Sequence, residues 1–205
     1  MTNDLISVGV FIDGGYYAKI NEGLEDKMNL RINLRGLFKY IREYISGEYA
    51  VDMADCHITE AHYYRGRYRV GDANQKHLLY KERAFEDTLI ENDVIFHYKH
   101  LREVRKNGDT TVIEKGVDVW FALETYELAQ FRDFDTVILI TGDADHEMLI
   151  KKLKALKVNV ILLTWNMGAT SSTSPFLEEE ACTHIELNEK VAEDASLLSK
   201  ITQTV

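Results

Sequence analysis

Short β-rich apolar runs that alternate with segments of helical period predict an α/β fold with a mainly parallel central sheet. Three observations carry this. Residues 136–141 (TVILIT) form an almost unbroken apolar run, the pattern of a strand covered on both faces. Residues 158–163 repeat that pattern, and a helical stretch at 146–156 lies between the two. Residues 6–12 (ISVGVFI) form a third such run near the start.

The other elements follow in order. Asp13-Gly14-Gly15 closes the first strand with a turn signal. Leu34, Leu37, Phe38, Ile41 and Ile45 recur at helical spacing over 34–46. Residues 55–66 alternate as a strand through His57, Thr59, Ala61 and Tyr63. A helix is expected over 75–90 on Leu78, Leu79, Ala84 and Leu89, then a strand over 94–98 and a turn at 106–109. Val117, Phe121, Leu128 and Ala129 mark a helix over 117–129. Residues 174–181 read as a short helix and 184–187 as a last strand. With no repeat, linker or break, one domain is expected over 1–188, followed by a polar helical tail over 189–205.

Composition narrows the function. The chain has 205 residues, 45% of them apolar, enough to bury a sizeable core. Lys and Arg number 24 against 34 Asp and Glu, a net charge of −10 that argues against indiscriminate coating of nucleic acid. Two cysteines, Cys56 and Cys182, make neither a disulfide scaffold nor a four-thiolate zinc site, and fit free thiols in a reducing compartment. The segment Met1-Thr2-Asn3-Asp4 lacks the basic start of a signal peptide, and no apolar run approaches the roughly 18 residues of a membrane span. A soluble cytoplasmic protein is expected. P-loop, dinucleotide-binding and nucleophile-elbow motifs are missing from the sequence, as is the second Asp that a haloacid-dehalogenase-type phosphatase places after the first.

The acids stand at chemically loaded places. Asp13 ends the first strand, Asp143 and Asp145 follow the strongest central strand, and Asp118 opens a helix. In an open α/β sheet, ligands bind beyond the carboxyl ends of the strands, near the topological switch point. Several carboxylates gathered there do not all stay ionised without a cation. Hard oxygen ligands select Mg²⁺ or Mn²⁺. Simpler roles also fit: Asp118 and Asp145 suit helix starts, and Asp13 before two glycines suits a turn.

The motif text is more specific. Phe11-Ile12-Asp13-Gly14-Gly15, Glu114-Lys115-Gly116-Val117-Asp118-Val119 and Thr141-Gly142-Asp143-Ala144-Asp145 together resemble the NYN domain family, and within it the LabA-like group of PIN-like nucleases. Ser174-Pro175-Phe176-Leu177, Ala181 and Ile185-Glu186-Leu187 resemble the end of the same domain, so the likeness runs over about residues 5–188. The resemblance implies a PIN-like three-layer α/β/α sandwich and a Mg²⁺- or Mn²⁺-dependent ribonuclease site. It makes Asp13, Asp118, Asp143 and Asp145 the metal and catalytic acids. Thr141 takes the family's Ser or Thr position, as an orienting hydroxyl, and Lys115 the position of a phosphate-holding lysine. Tyr16 stands where the family commonly has Asn, and His146 where it usually has Phe.

Around these residues, Tyr63-Tyr64-Arg65-Gly66-Arg67-Tyr68-Arg69 interleaves rings and guanidiniums. With Tyr16, the residues Arg65, Arg67 and Arg69 are expected to hold a single-stranded RNA by stacking and phosphate pairing. Lys99, His100, Arg102, Arg105 and Lys106 form a second basic stretch, whereas Lys151, Lys152, Lys154 and Lys157 read as a solvated helix face. His57, His62, His77, His97 and His184 have no metal-ligand spacing. Two functions follow: a metal-dependent endoribonuclease, or a non-catalytic RNA- or protein-binding regulatory module on the same fold. A phosphatase acting on small phosphate esters ranks third. A single open sheet leaves edges to cover, and a homodimer is one way to cover them.

Overall fold

The computed structural model describes residues 5–69, 76–106, 109–168 and 171–205. Its central sheet is formed by β1 (Ile6–Asp13), β3 (Cys56–Arg67), β4 (Val94–His100), β7 (Thr136–Ile140), β8 (Asn159–Thr164) and β9 (Thr183–Glu186). They lie in the order β4-β3-β1-β7-β8-β9, and every neighbouring pair is parallel. Helices are α1 (Gly14–Met28), α2 (Leu34–Tyr49), α3 (Lys76–Glu91), α4 (Val117–Phe131), α5 (Glu147–Ala155), α6 (Pro175–Glu180), α7 (Leu187–Glu193) and α8 (Ser196–Ile201). Two small antiparallel pairs complete the chain: β2 (Leu30–Ile32) with β10 (Thr202–Thr204), and β5 (Arg102–Lys106) with β6 (Asp109–Ile113).

Side-chain alternation divides the core into two layers. Val8, Val10, Ile12, Ile138, Ile140, Ile161 and Leu163 face one way, against Ile20 and Leu24 of α1, Leu37 and Ile41 of α2, and Ile201 of α8. Phe11, Val137, Leu139, Val160 and Leu162 face the other way, against Phe121 of α4, Ile150 and Leu153 of α5, and Leu177 of α6. The period-2 pattern of strands buried on both faces therefore produces the α/β/α sandwich.

Three expectations change. Gly14-Gly15 is no turn: Asp13 caps a helix there, its Oδ1 accepting from the N–H groups of Gly15 (2.8 Å) and Tyr16 (3.2 Å). His57 and Thr59 do not share the face of Ala61 and Tyr63. The β1–β3 register shifts between Val8 and Gly9, so Cys56 and Ile58 occupy the face that Ala61 and Tyr63 continue. The C-terminal segment is not only helical and polar, because Leu197 and Ile201 are buried and the chain ends in a strand against β2. Of the turn expected at 106–109, residues 107–108 lie outside the described residues, as do 1–4 and residue 75 of the helix expected over 75–90; the side chains of His77, Leu78, Arg105 and Lys106 are likewise not described. Lys151, Lys152, Lys154 and Lys157 are solvated as expected.

An imidazole pair, His62 buried and His97 half-buried, spans the second layer. His62 Nδ1 lies 3.0 Å from His97 Nε2, and His62 Nε2 lies 3.1 Å from Glu60, which also pairs with Arg132 at 2.9 Å. Glu124 of α4 stands 3.5 Å from His97. Burial lowers both histidine pKa values despite the neighbouring glutamates.

Two outcomes follow. A Cβ at Gly36 would run into the Lys200 carbonyl of α8, well inside van der Waals contact. Gly36→Ala is expected to cost about 1–3 kcal/mol in urea unfolding; an unchanged midpoint would mean that α8 does not rest on α2. The histidine pair sets a pH dependence. Above the unfolded value of about 6.5 both rings are neutral in both states, and stability is full. Below it the unfolded chain takes up protons that the folded chain resists, so stability falls with pH. The fall in urea midpoint from pH 7.5 to 5.5 should be shallower in His62→Phe than in wild type; equal slopes would contradict it.

Candidate functional site

The order β3-β1-β7 places the topological switch between β1 and β7: from β1 the chain crosses to β3 and β4 on one side, then returns to β7 on the other. Their carboxyl ends open the crevice where such sheets take ligands. Ile12 pairs with Ile140, so Asp13 and Thr141 emerge side by side. The Thr141 hydroxyl donates to Asp13 Oδ2 at 3.2 Å and accepts from the Asp143 N–H at 3.3 Å. Asp143 in turn caps the 3-10 turn Ala144–His146, accepting from the Asp145 N–H at 3.0 Å. Both capping roles thus fall to Asp13 and Asp143, not to Asp118 or Asp145.

Asp118 reaches the edge from α4. The chain enters that helix through Gly116 at φ 76°, a left-handed conformation that suits glycine. Lys99 Nζ holds the Gly116 carbonyl at 3.3 Å. Partial burial raises the Asp118 pKa first, and the Asp13 charge adds to it; His146 acts against the shift, while Asp143 and Asp145 reinforce it. Asp13, Asp118, Asp143 and Asp145 therefore share one electrostatic neighbourhood.

A fifth acid joins them. Glu114 accepts from the Gly66 N–H at the end of β3. Its pKa is raised by burial first, against the pull of Gly66 and Arg65, with Asp13 and Asp118 adding to the rise. Its signal lay in the Glu114–Asp118 motif, but nothing in the spacing distinguished it from an ordinary strand-end glutamate.

The expected RNA-holding residues divide. Tyr16 is only 5% exposed; its hydroxyl accepts from the Trp165 N–H at 3.1 Å, so its ring offers no open face for a base. Tyr63 and Tyr64 are likewise core residues, one in each layer. Arg65 braces the strand-to-helix junction, donating to the Gly14 carbonyl (3.3 Å) and the Tyr63 hydroxyl (3.4 Å). Arg67 is neutralised by Glu86 at 3.0 Å and lies over the Tyr98 ring. Arg69 and Lys115 are exposed.

The NYN domain family model matches residues 7–188. The chain belongs to the NYN domain family. As an NYN domain it has the PIN-like three-layer architecture, with the acids of the motif text at the switch-point edge. No curated protein matches the chain. Among solved structures, MurG of Acinetobacter baumannii is similar over 88% of this chain and 41% of its own, at 11% identity and a TM-score of 0.40, a likeness too slight to carry an argument. No helix among the described residues is long and apolar enough to cross a membrane.

The donors suit a hard divalent ion, because they are carboxylate oxygens that raise one another's pKa values. As they lie, no three ligating side chains among the described residues stand close enough to grip one. Asp13, Asp118 and Asp143 are the residues that could hold it.

The repulsion is testable without any ion. Raised carboxyl pKa values mean that the ionised forms cost stability at pH 7 and that this cost vanishes as pH falls toward the unfolded value of about 3.9. In chelator, Asp118→Asn should unfold at higher urea than wild type at pH 7, with the gap closing toward pH 4. A variant less stable than wild type at pH 7 would contradict the assignment.

Proposed function

We propose that this NYN domain, of the LabA-like kind, is a cytoplasmic endoribonuclease that hydrolyses single-stranded RNA with Mg²⁺ or Mn²⁺ at the switch-point acids. The observation that carries the reading is the gathering of Asp13, Asp118, Asp143 and Asp145 around the β1–β7 strand ends, where Asp118 already feels the other three. Asp13, Asp118 and Asp143 would hold the ion, with Asp145 beside them. A divalent ion bound there supplies an activated water and offsets charge on a phosphodiester.

The chain's own residues do the rest. Asp13 is immobilised at both oxygens, by the start of α1 and by Thr141. Lys115, exposed just ahead of α4, would pair with a phosphate, and Arg69, also exposed, would hold the strand. Arg65 and Arg67 serve the scaffold instead. Two unpaired thiols, Cys56 and Cys182, support a reducing compartment.

A second reading is a regulatory module that binds RNA or protein without cutting. It is favoured by guanidiniums already spent on internal partners.

A labelled single-stranded RNA incubated with Mn²⁺, Mg²⁺ or chelator separates the two. Loss of groups around a metal's ligands commonly costs about 10–100-fold, so loss of a ligand in Asp143→Asn should cut cleavage by roughly 100-fold or more. Folded wild type that binds the RNA but never cuts it would support the module; equal cutting by the variant would sink the assigned site.

A further inference from the structure

His146 is 1% exposed, inside the layer formed by α4 and α5, with its ring 4.6 Å from that of Phe121. Its Nδ1 lies 2.9 Å from the Thr141 hydroxyl. Its Nε2 has no partner among the described residues.

A count of hydrogens decides how this cluster is wired. Thr141 has one hydroxyl hydrogen and three polar neighbours. Asp13 Oδ2, as a carboxylate oxygen, only accepts; the Asp143 N–H only donates; His146 Nδ1 can do either. If Thr141 gave its hydrogen to His146, two lone pairs would face each other across the 3.2 Å contact with Asp13. The arrangement in which every contact is a hydrogen bond has Thr141 donating to Asp13 and His146 donating from Nδ1. The bare Nε2 is then the buried atom left without a partner, a cost accepted at one end of the ring to fix the other.

We propose that His146 is a positioning residue of the acidic site: as the Nδ1–H tautomer it holds the Thr141 hydroxyl turned onto Asp13. This rests on the reading of Asp13 as an ion ligand. The α1 cap already occupies Oδ1, so Thr141 is what fixes Oδ2 and with it the plane of the carboxylate. A phenylalanine at 146 would fill the same space but remove the donor that, with the Asp143 N–H, turns the Thr141 hydroxyl onto Asp13. Outer-shell hydrogen bonds of this kind set ligand orientation and affinity.

The test has two readouts on the intact chain. Long-range ¹H–¹⁵N spectra of the metal-free protein report the tautomer directly, and should show the His146 proton on Nδ1. Mn²⁺ titration of wild type, His146→Phe, Thr141→Val and the double variant then measures coupling. His146→Phe should weaken Mn²⁺ binding on the order of 10-fold. It should add almost nothing in the Thr141→Val background, because the ring acts through that hydroxyl. His146→Asn, whose amide N–H sits near the position of Nδ1, should restore most of the affinity, which a purely space-filling role would not do. A proton on Nε2, unchanged affinity in His146→Phe, or fully additive losses would each overturn the proposal. Wild type that shows the Nδ1 proton yet binds no Mn²⁺ would overturn the ion-site reading and the positioning role together, while leaving the hydrogen-bond wiring intact.

Discussion

The parallel pairing of β1 with β7 is the constraint on which the rest depends. There the connections leave in opposite directions, so two strand ends stand side by side at the topological switch point. Asp13 and Thr141 occupy those ends, and their hydrogen bond ties the α1 cap to the turn that carries Asp143. Asp118 and Glu114 come to the same edge on the segment that leads into α4. The site is thus assembled from segments more than a hundred residues apart, and strand register does the assembling.

The acids at this edge cost stability when ionised. Burial and mutual repulsion raise the pKa values of Asp118 and Glu114. A scaffold that tolerates such groups draws its stability elsewhere, from the two apolar layers and from the C-terminal segment that returns to β2. The basic residues illustrate the same economy. In a chain of net charge −10, Arg67 neutralises Glu86, Arg132 neutralises Glu60, and Arg65 braces a backbone carbonyl. Lys115, next to Gly116 at the entry to α4, is exposed.

Much of this was legible in the sequence, for identifiable reasons. The strands β1, β7 and β8 are covered on both faces, so their apolar runs are nearly continuous, and acids at their ends stand out. The α1 helix was hidden because Gly14-Gly15 is a strong turn signal, although Tyr16, Tyr17, Ile20 and Leu24 already follow a helical period. Three-residue strands such as β2 and β10 are set by tertiary contact and carry almost no local pattern. The bulge opposite Val8 shifts a face that simple alternation keeps constant. At the site, the four aspartates could be named from their positions. The burial of Tyr16, the pairing of Arg67 and the link from His146 to Thr141 depend on neighbours far along the chain, which spacing does not encode.

Crystals soaked in Mn²⁺ and measured for anomalous scattering test the proposed divalent-ion site most directly. A single strong peak bounded by Asp13, Asp118 and Asp143 is expected, with carboxylate oxygens drawn in to about 2.0–2.3 Å. A well-ordered edge with no peak there, or manganese bound only elsewhere on the acidic surface, would contradict it.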